Sequence, residues 1–292
     1  VLQQIVLGLR EGSLFSLVAL GLVIVYKTSG VVNFAYGHMG MFATYITFTF
    51  YAILGMPFFV SIIIGLIFAV VIGIVTEKFL LRPVRHLSHS AMLIITLGLL
   101  MLLEGLALLI WKQDYQQLPN IISGRPFILR FDGGMIVLPP QDILIFILTA
   151  AIVFGTFFYL KYTKLGLAIR ASSQNEEAAK LMGIKVGSVY SFAWGFGTGL
   201  SALAAILAAP KTNVHPSMMV DLQVQGLTAA VLGGFDSLPG AIVGGLLLGV
   251  IEQFIGKYIS IELKMTFALL IIIVLLLVKP SGLLGKSTKR RV

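Results

Sequence analysis

Apolar stretches recur from one end of this 292-residue chain to the other, all but the short last one about 17 to 25 residues long, the length a helix needs to cross a bilayer. They cover residues 5–26, 34–54, 58–75, 91–111, 143–160, 190–209, 238–255 and 265–278. At 1.5 Å per residue the run 91–111 is about 31 Å long, enough to span the hydrocarbon layer. Backbone groups in lipid must pair internally, and the runs lack period-two alternation, so helices rather than a barrel are implied. The expected fold class is therefore all-α, a polytopic transmembrane helical bundle. Composition agrees, with 58% hydrophobic residues, 11% charged and a mean hydropathy of +1.00, against roughly a quarter charged in soluble domains.

Cysteine is absent, which excludes disulfides, thiolate metal sites and cysteine nucleophiles together. The net charge of +9 sits in short segments between apolar runs, the placement that membrane orientation requires, so lipid and not nucleic acid is the expected partner. Residues 1–9 carry no basic n-region, and the first apolar run is expected to stay in the membrane.

Orientation follows from the basic residues. Lys78, Arg82 and Arg85 mark one connection, Lys161, Lys164, Arg170, Lys180 and Lys185 a second, and Lys286, Lys289, Arg290 and Arg291 the tail; all three are assigned to the cytoplasm. The connection 112–141 then lies outside, where Pro139, Pro140 and Gly133-Gly134 suggest a small folded loop with a hairpin. Eight ordinary spans would leave the basic tail on the wrong side. A further crossing is therefore expected in 223–235, whose Gly226, Gly233 and Gly234 predict a broken or half-length helix running into the turn Asp236-Ser237-Leu238-Pro239-Gly240. The expectation is nine crossings, or about eight to nine, with one broken or re-entrant helix, an external N-terminus and a cytoplasmic C-terminus. The whole chain, 1–292, reads as a single transmembrane domain without a defensible internal repeat.

The loop 161–189 holds the most polar stretch. Glu176 and Glu177 precede Lys180, the order the helix dipole favours, and Gly183 is placed to end the helix. Ala178, Leu181 and Met182 would form a small apolar face that fits a soluble partner's groove, or the stretch is a solvated connector.

Three blocks carry a family resemblance. Asn175, Ala178, Ala179, Leu181, Gly183 and Ile184 resemble the cytoplasmic loop of inner-membrane permeases of bacterial ABC importers. The run from Thr228 through Gly233-Gly234-Phe235-Asp236-Ser237-Leu238-Pro239-Gly240 to Gly244-Gly245 is similar to the branch containing the branched-chain amino-acid permeases. Leu20-Gly21-Leu22 through Asn33-Phe34-Ala35-Tyr36-Gly37-His38-Met39 is similar to that branch's N-terminal pattern. The similarity runs from residue 4 to residue 285. It implies a permease that binds no cofactor itself, with Asn175, Ala178, Ala179, Leu181, Met182 and Gly183 coupling it to two cytoplasmic ATPase subunits that bind ATP. It also implies a second permease subunit, like or unlike, an external solute-binding protein, and a bacterial inner-membrane location. One departure stands out: where the family usually has histidine, glycine and an acidic residue, this chain has Tyr36, Gly37 and His38.

The residues themselves suggest further roles. Gly240 and Gly244, Gly245 and Gly249, and Gly195 and Gly199 are four apart, so each pair forms a face along which helices can approach closely. Asp236 at the helix interruption either lines a cavity or sits in a surface turn. Glu104 lies inside an apolar run, where a carboxylate needs a partner or water. Asn33 can cap the second span, and Asn33, Tyr36 and His38, with Glu104 and Asp236, are the candidate pathway residues.

No catalytic, cofactor-binding or metal-binding residues emerge. Gly285-Lys286-Ser287 falls short of a phosphate-binding loop because Pro280 occupies the first glycine's place, and no His-Glu-x-x-His or Gly-x-Ser-x-Gly run occurs. An ion-coupled secondary transporter would need paired intramembrane acids, for which Glu104 and Asp236 are a thin set. Within the permease reading, urea, short amides and sugars rival amino acids as cargo.

Overall fold

The computed structural model describes residues 1–85, 89–131, 134–279 and 281–285. The basic tail (Lys286, Lys289, Arg290, Arg291), Pro280 and the first glycine of Gly133-Gly134 lie outside the described residues.

Eleven α-helices and one hairpin make up the described structure. Six helices are long and apolar enough to cross a membrane: α1 (Leu2–Ser29), α3 (Phe58–Val75, continuing through Thr76–Leu81 as a π-helical turn), α4 (His89–Trp111), α5 (Pro140–Tyr162), α8 (Val186–Thr212) and α10 (Leu238–Tyr258). Three further apolar helices are shorter. These are α2 (Tyr36–Phe48, extended by a π-helical turn at Thr49–Ile53), α9 (Val220–Gly233) and α11 (Lys264–Val278). Two small helices, α6 (Lys164–Gln174) and α7 (Glu176–Leu181), carry the polar stretch.

The half-length helix expected over 223–235 is α9. It ends at Gly233, and Gly234 takes φ +102°, a conformation that only glycine adopts without strain. The carbonyls of Leu232 and Gly233 are not left bare. They accept from the amides of Leu283 and Leu284, which return to the break.

The connection after α4 contains the antiparallel hairpin β1 (Phe127–Phe131) and β2 (Gly134–Leu138). Gln3 completes its edge: its side-chain oxygen accepts from Val137 N at 2.8 Å and its amide donates to Val137 O at 3.3 Å.

The backbone gathers into two compact units interleaved in sequence. The first comprises residues 1–23, 122–149 and 221–292. Within it α1 packs on α10 so closely that a Cβ on Gly245 would stand 2.6 Å from Ser16 N, and one on Gly249 would collide with the backbone of Gly12 and Gly8. Gly240 and Gly244 meet α9 in the same way, against the carbonyls of Gly233 and Ala229. Lipid gives apolar helices no reason to associate, so close backbone contact and interhelical hydrogen bonds do that work. Ser16 Oγ supplies one such bond, donating to Ile242 O at 2.9 Å.

The second unit, residues 24–121 and 150–220, is built on α2, α3 and α8. Gly195 on α8 meets Ile74 and Val70 of α3, and Gly199 touches Val70. Thr198 Oγ1 donates to Ala69 O at 2.7 Å, and Ser201 Oγ donates to Tyr36 O at 2.7 Å. Both hydroxyls sit inside apolar helices and find carbonyls on a neighbour, the polar glue of a membrane bundle.

Candidate functional site

The polar stretch folds as two helices rather than one. Asn175 adopts an extended conformation, ends α6 and starts α7, its side chain accepting from Ala178 N at 2.9 Å. An Asn N-cap satisfies one of the orphan amides of a first turn, which is why the break falls here. Gly183 follows α7 with φ +82° and no neighbour within 4 Å of a would-be Cβ, so its requirement is conformational.

The six residues of the expected coupling set divide by face. Leu181 is 89% exposed and Met182 74%, with Ala178 exposed beside them. Two large apolar side chains held in water on a six-residue helix are costly unless something covers them. Ala179 differs from the rest. It is 1% exposed and packs with Val186 and Tyr190 at the start of α8, so its side chain faces the protein interior.

Beneath α7 lies a charge network that sequence reading did not find. Glu77, in the π-helical turn after α3, has no exposure, and its carboxylate accepts from Arg82 through Nη2 at 2.6 Å and Nε at 3.2 Å. Ser191 Oγ donates to it at 2.6 Å. Arg82 also donates to Gly187 O at 2.8 Å, and Arg85 lies 3.7 Å from the other Glu77 oxygen. The Arg85 guanidinium stacks 3.4 Å from the centre of the Tyr190 ring, and the Tyr190 hydroxyl donates to Glu176 at 2.8 Å. Partial burial pushes the Glu176 carboxyl up. Hydrogen bonds from Lys180 and Tyr190, with the charges of Lys180 and Arg85, outweigh that and hold it below the ordinary 4.5. Arg82, Arg85, Asn175, Glu176, Glu177 and Lys180 together line an open polar cleft of about 560 Å³. The signal for Glu77 was present in sequence as an acid closing an apolar run.

Asn33, Tyr36 and His38 occupy the interior of the second unit. Asn33 Oδ1 accepts from Ala35 N at 3.0 Å, which holds the loop ahead of α2; the helix starts at Tyr36 with no side-chain cap. Asn33 therefore does not cap α2 as expected: the helix starts three residues later, and the Asn33 side-chain oxygen is committed to an Asx-type turn ahead of it. Tyr36 is fully buried. His38 is also buried, and its Nε2 lies 3.8 Å from Glu104 Oε2, so two residues flagged separately from sequence are neighbours. Asp236 sits exposed in the turn between α9 and α10, with Ser237 capping α10 by accepting from Gly240 N at 3.0 Å.

Two buried charged groups escaped notice. Arg10 on α1 pairs with Asp142 on α5 and with Glu11, each at 2.8 Å. Glu252 on α10 is 4% exposed and accepts from Gln225 on α9 at 3.0 Å. The rule that drew attention to Glu104 applied equally to Glu252.

Membrane-length helices closed on each other by glycine contacts and hydroxyl-to-carbonyl bonds, with a short polar helix exposing Leu181 and Met182, define a polytopic helical membrane protein. The fold is similar to that of PsaBC from Streptococcus pneumoniae in complex with Fab, with a TM-score of 0.52 over 94% of this chain and 91% of that one, at 16% identity. In sequence the chain is 31% identical to the high-affinity branched-chain amino acid transport system permease protein BraD of Pseudomonas aeruginosa, covering all of this chain and 98% of that protein. It is 30% identical to the corresponding permease protein LivH of Escherichia coli K12, over all of this chain and 97% of its relative. The model of the family described as branched-chain amino acid transport system / permease component matches residues 4–276, and the chain belongs to that family. It is a transport component, not an enzyme.

Proposed function

We propose that this chain forms the translocation pathway of an ABC importer for branched-chain or other small amino acids. In this reading it pairs with a second permease subunit, is driven by two separate ATPase subunits that bind the ATP, and receives solute from an external binding protein. It sits in the bacterial inner membrane with the loop 161–189 and the C-terminus in the cytoplasm and the loop 112–141 outside, as the basic residues favour.

The observation that carries the reading is the exposed Ala178, Leu181 and Met182 face of α7, capped by Asn175 and closed by Gly183. Such a face fits an apolar groove on a soluble partner, and movement of that partner would rock the attached spans. The relatives support the cargo: both are named as permease proteins of high-affinity branched-chain amino acid systems. Asn33, Tyr36, His38 and Glu104 remain the proposed pathway residues, with His38 and Glu104 acting together, while the exposed position of Asp236 favours its surface-turn reading.

The test is reconstitution. Proteoliposomes holding this chain, its partner permease and the ATPases should take up leucine, isoleucine or valine only with ATP inside the ATPase compartment and binding protein opposite. Uptake by the chain alone, driven by a proton gradient, would establish an ion-coupled transporter instead.

A further inference from the structure

Helix α7 is short, and the joint before it is weak: α6 and α7 are separated by the single extended residue Asn175. A push delivered to so small a helix would fold the joint unless α7 were fastened to something stiffer. The stiff element within the same unit is the pair α3 and α8, where Thr198 binds Ala69 O and Gly73 and Gly195 bring the two backbones together.

We propose that Tyr190 and Glu77 are positioning residues that fasten α7 to the α3–α8 pair, so that displacement of α7 is carried into the membrane helices instead of being lost in the loop. This rests on the importer reading given above. The chain of contacts is continuous. Glu176 on α7 accepts from the Tyr190 hydroxyl on α8, the Tyr190 ring carries Arg85, and Arg85 and Arg82 converge on Glu77 at the end of α3. Ser191, one residue beyond Tyr190, closes the loop by donating to Glu77. Ala179 packs against Tyr190 and Val186, so the apolar contact and the polar one bear on the same point of α8.

Three features argue against simple surface decoration. Glu77 is wholly buried, and a buried carboxylate is kept only where its partners are arranged to hold it. It stands in a π-helical turn, an irregularity that concentrates at functional sites, and its carboxylate reaches Ser191 on α8. And α8 passes the contact onward, since Ser201 on the same helix donates to the backbone of Tyr36, beside His38 on α2.

Tyr190→Phe removes only the hydroxyl and keeps the ring under Arg85 and against Ala179. In the reconstituted importer the variant should co-purify with the ATPases as the parent does and still hydrolyse ATP, while solute carried per ATP falls about tenfold. Glu77→Gln should behave in the same way; if it fails to insert, Tyr190→Phe decides alone. Parental uptake per ATP in Tyr190→Phe would overturn the proposal, as would loss of the ATPases on purification, which would make Tyr190 a docking determinant. Failure of the unaltered chain to retain the ATPases would instead sink the importer reading.

Discussion

His38 on α2 and Glu104 on α4 approach to 3.8 Å because their helices run side by side in the same direction. Tyr45 stacks on Trp111 with ring centres 4.7 Å apart, and two turns back along each helix (45 to 38 and 111 to 104) the same alignment brings the imidazole to the carboxylate. Trp111 Nε1 donates to Thr49 Oγ1 at 2.9 Å and pins the register. The Glu104 side chain is 40% exposed against 5% for His38, so the pair sits at an edge of this chain's own packing.

Glu104→Gln removes the charge and little volume. With an exposed carboxylate the stability cost should be about 1 kcal/mol or less, read as a small shift of Tm in detergent. Trp111→Ala should cost more, about 2 kcal/mol, because it deletes a half-buried ring stacked on Tyr45 and releases the register of α2 on α4. Equal effects from the two changes would show that the aromatic contact does not set the alignment.

The docking face and the packing face of α7 are separable. Leu181→Asp should abolish retention of the ATPases while leaving insertion and Tm unchanged, since Leu181 touches solvent alone. Ala179→Asp buries a charge against Val186 and Tyr190 and should destabilise by several kcal/mol. A Leu181→Asp protein that still binds ATPases at parental strength would disprove the assignment of this face.

Glycines on the two kinds of surface should respond with opposite signs. Gly249→Leu forces a side chain into the α1 backbone and should yield aggregated protein on size-exclusion chromatography. Gly105→Ala meets nothing within 4 Å and should raise stability by up to about 1 kcal/mol through helix propensity.

The fastening of α7 should depend on pH in one direction. Glu176 titrates below 4.5, so its contribution is complete above 4.5 and is lost as pH falls through the lower native value. The chain has no cysteine, so a spin label on Leu181→Cys reports α7 alone. Its mobility should be constant from pH 7 to 5 and rise only below 4.5; a rise between 7 and 5 would point to another group.

Arg10 is held between Asp142 and Glu11 at the buried start of the first unit. Asp142→Ala leaves much of that charge uncompensated and should cost about 3–5 kcal/mol, visible as a lower Tm. Arg10→Met with Asp142→Ala together should recover most of the loss.

Much of this was legible in the residues. Span-length apolar runs gave the helices, because in lipid the backbone has no other way to satisfy itself. A helix lies where charge asymmetry placed a further crossing, and Gly233-Gly234 located its end, where α9 stops; among the described residues six helices, not including α9, are long and apolar enough to cross a membrane. The hairpin announced itself through Gly133-Gly134, and the end of α7 through Gly183 and the order of Glu176, Glu177 and Lys180, whereas its start at Asn175 did not. The candidate site was legible residue by residue but not in its pairings. Glu104 and His38 were visible as polar groups in apolar runs, yet nothing local said that they meet.

The sequence by itself determined where the long apolar helices lie and that lipid is their solvent, since these depend on composition and spacing within about twenty residues. Only the tertiary structure decided that Ala179 faces inward while Leu181 faces out, that Arg10 finds Asp142, and that Glu77, Arg85, Tyr190 and Glu176 form one network. Ala179 and Glu176 meet Tyr190 only because the chain turns back after α7, and Arg10–Asp142, Glu77–Ser191 and Arg85–Tyr190 join helix faces more than a hundred residues apart in the chain. In a membrane the choice of which faces meet is made by the close fit of backbones at glycines and by scattered hydrogen bonds, and an apolar pattern common to every face cannot encode it.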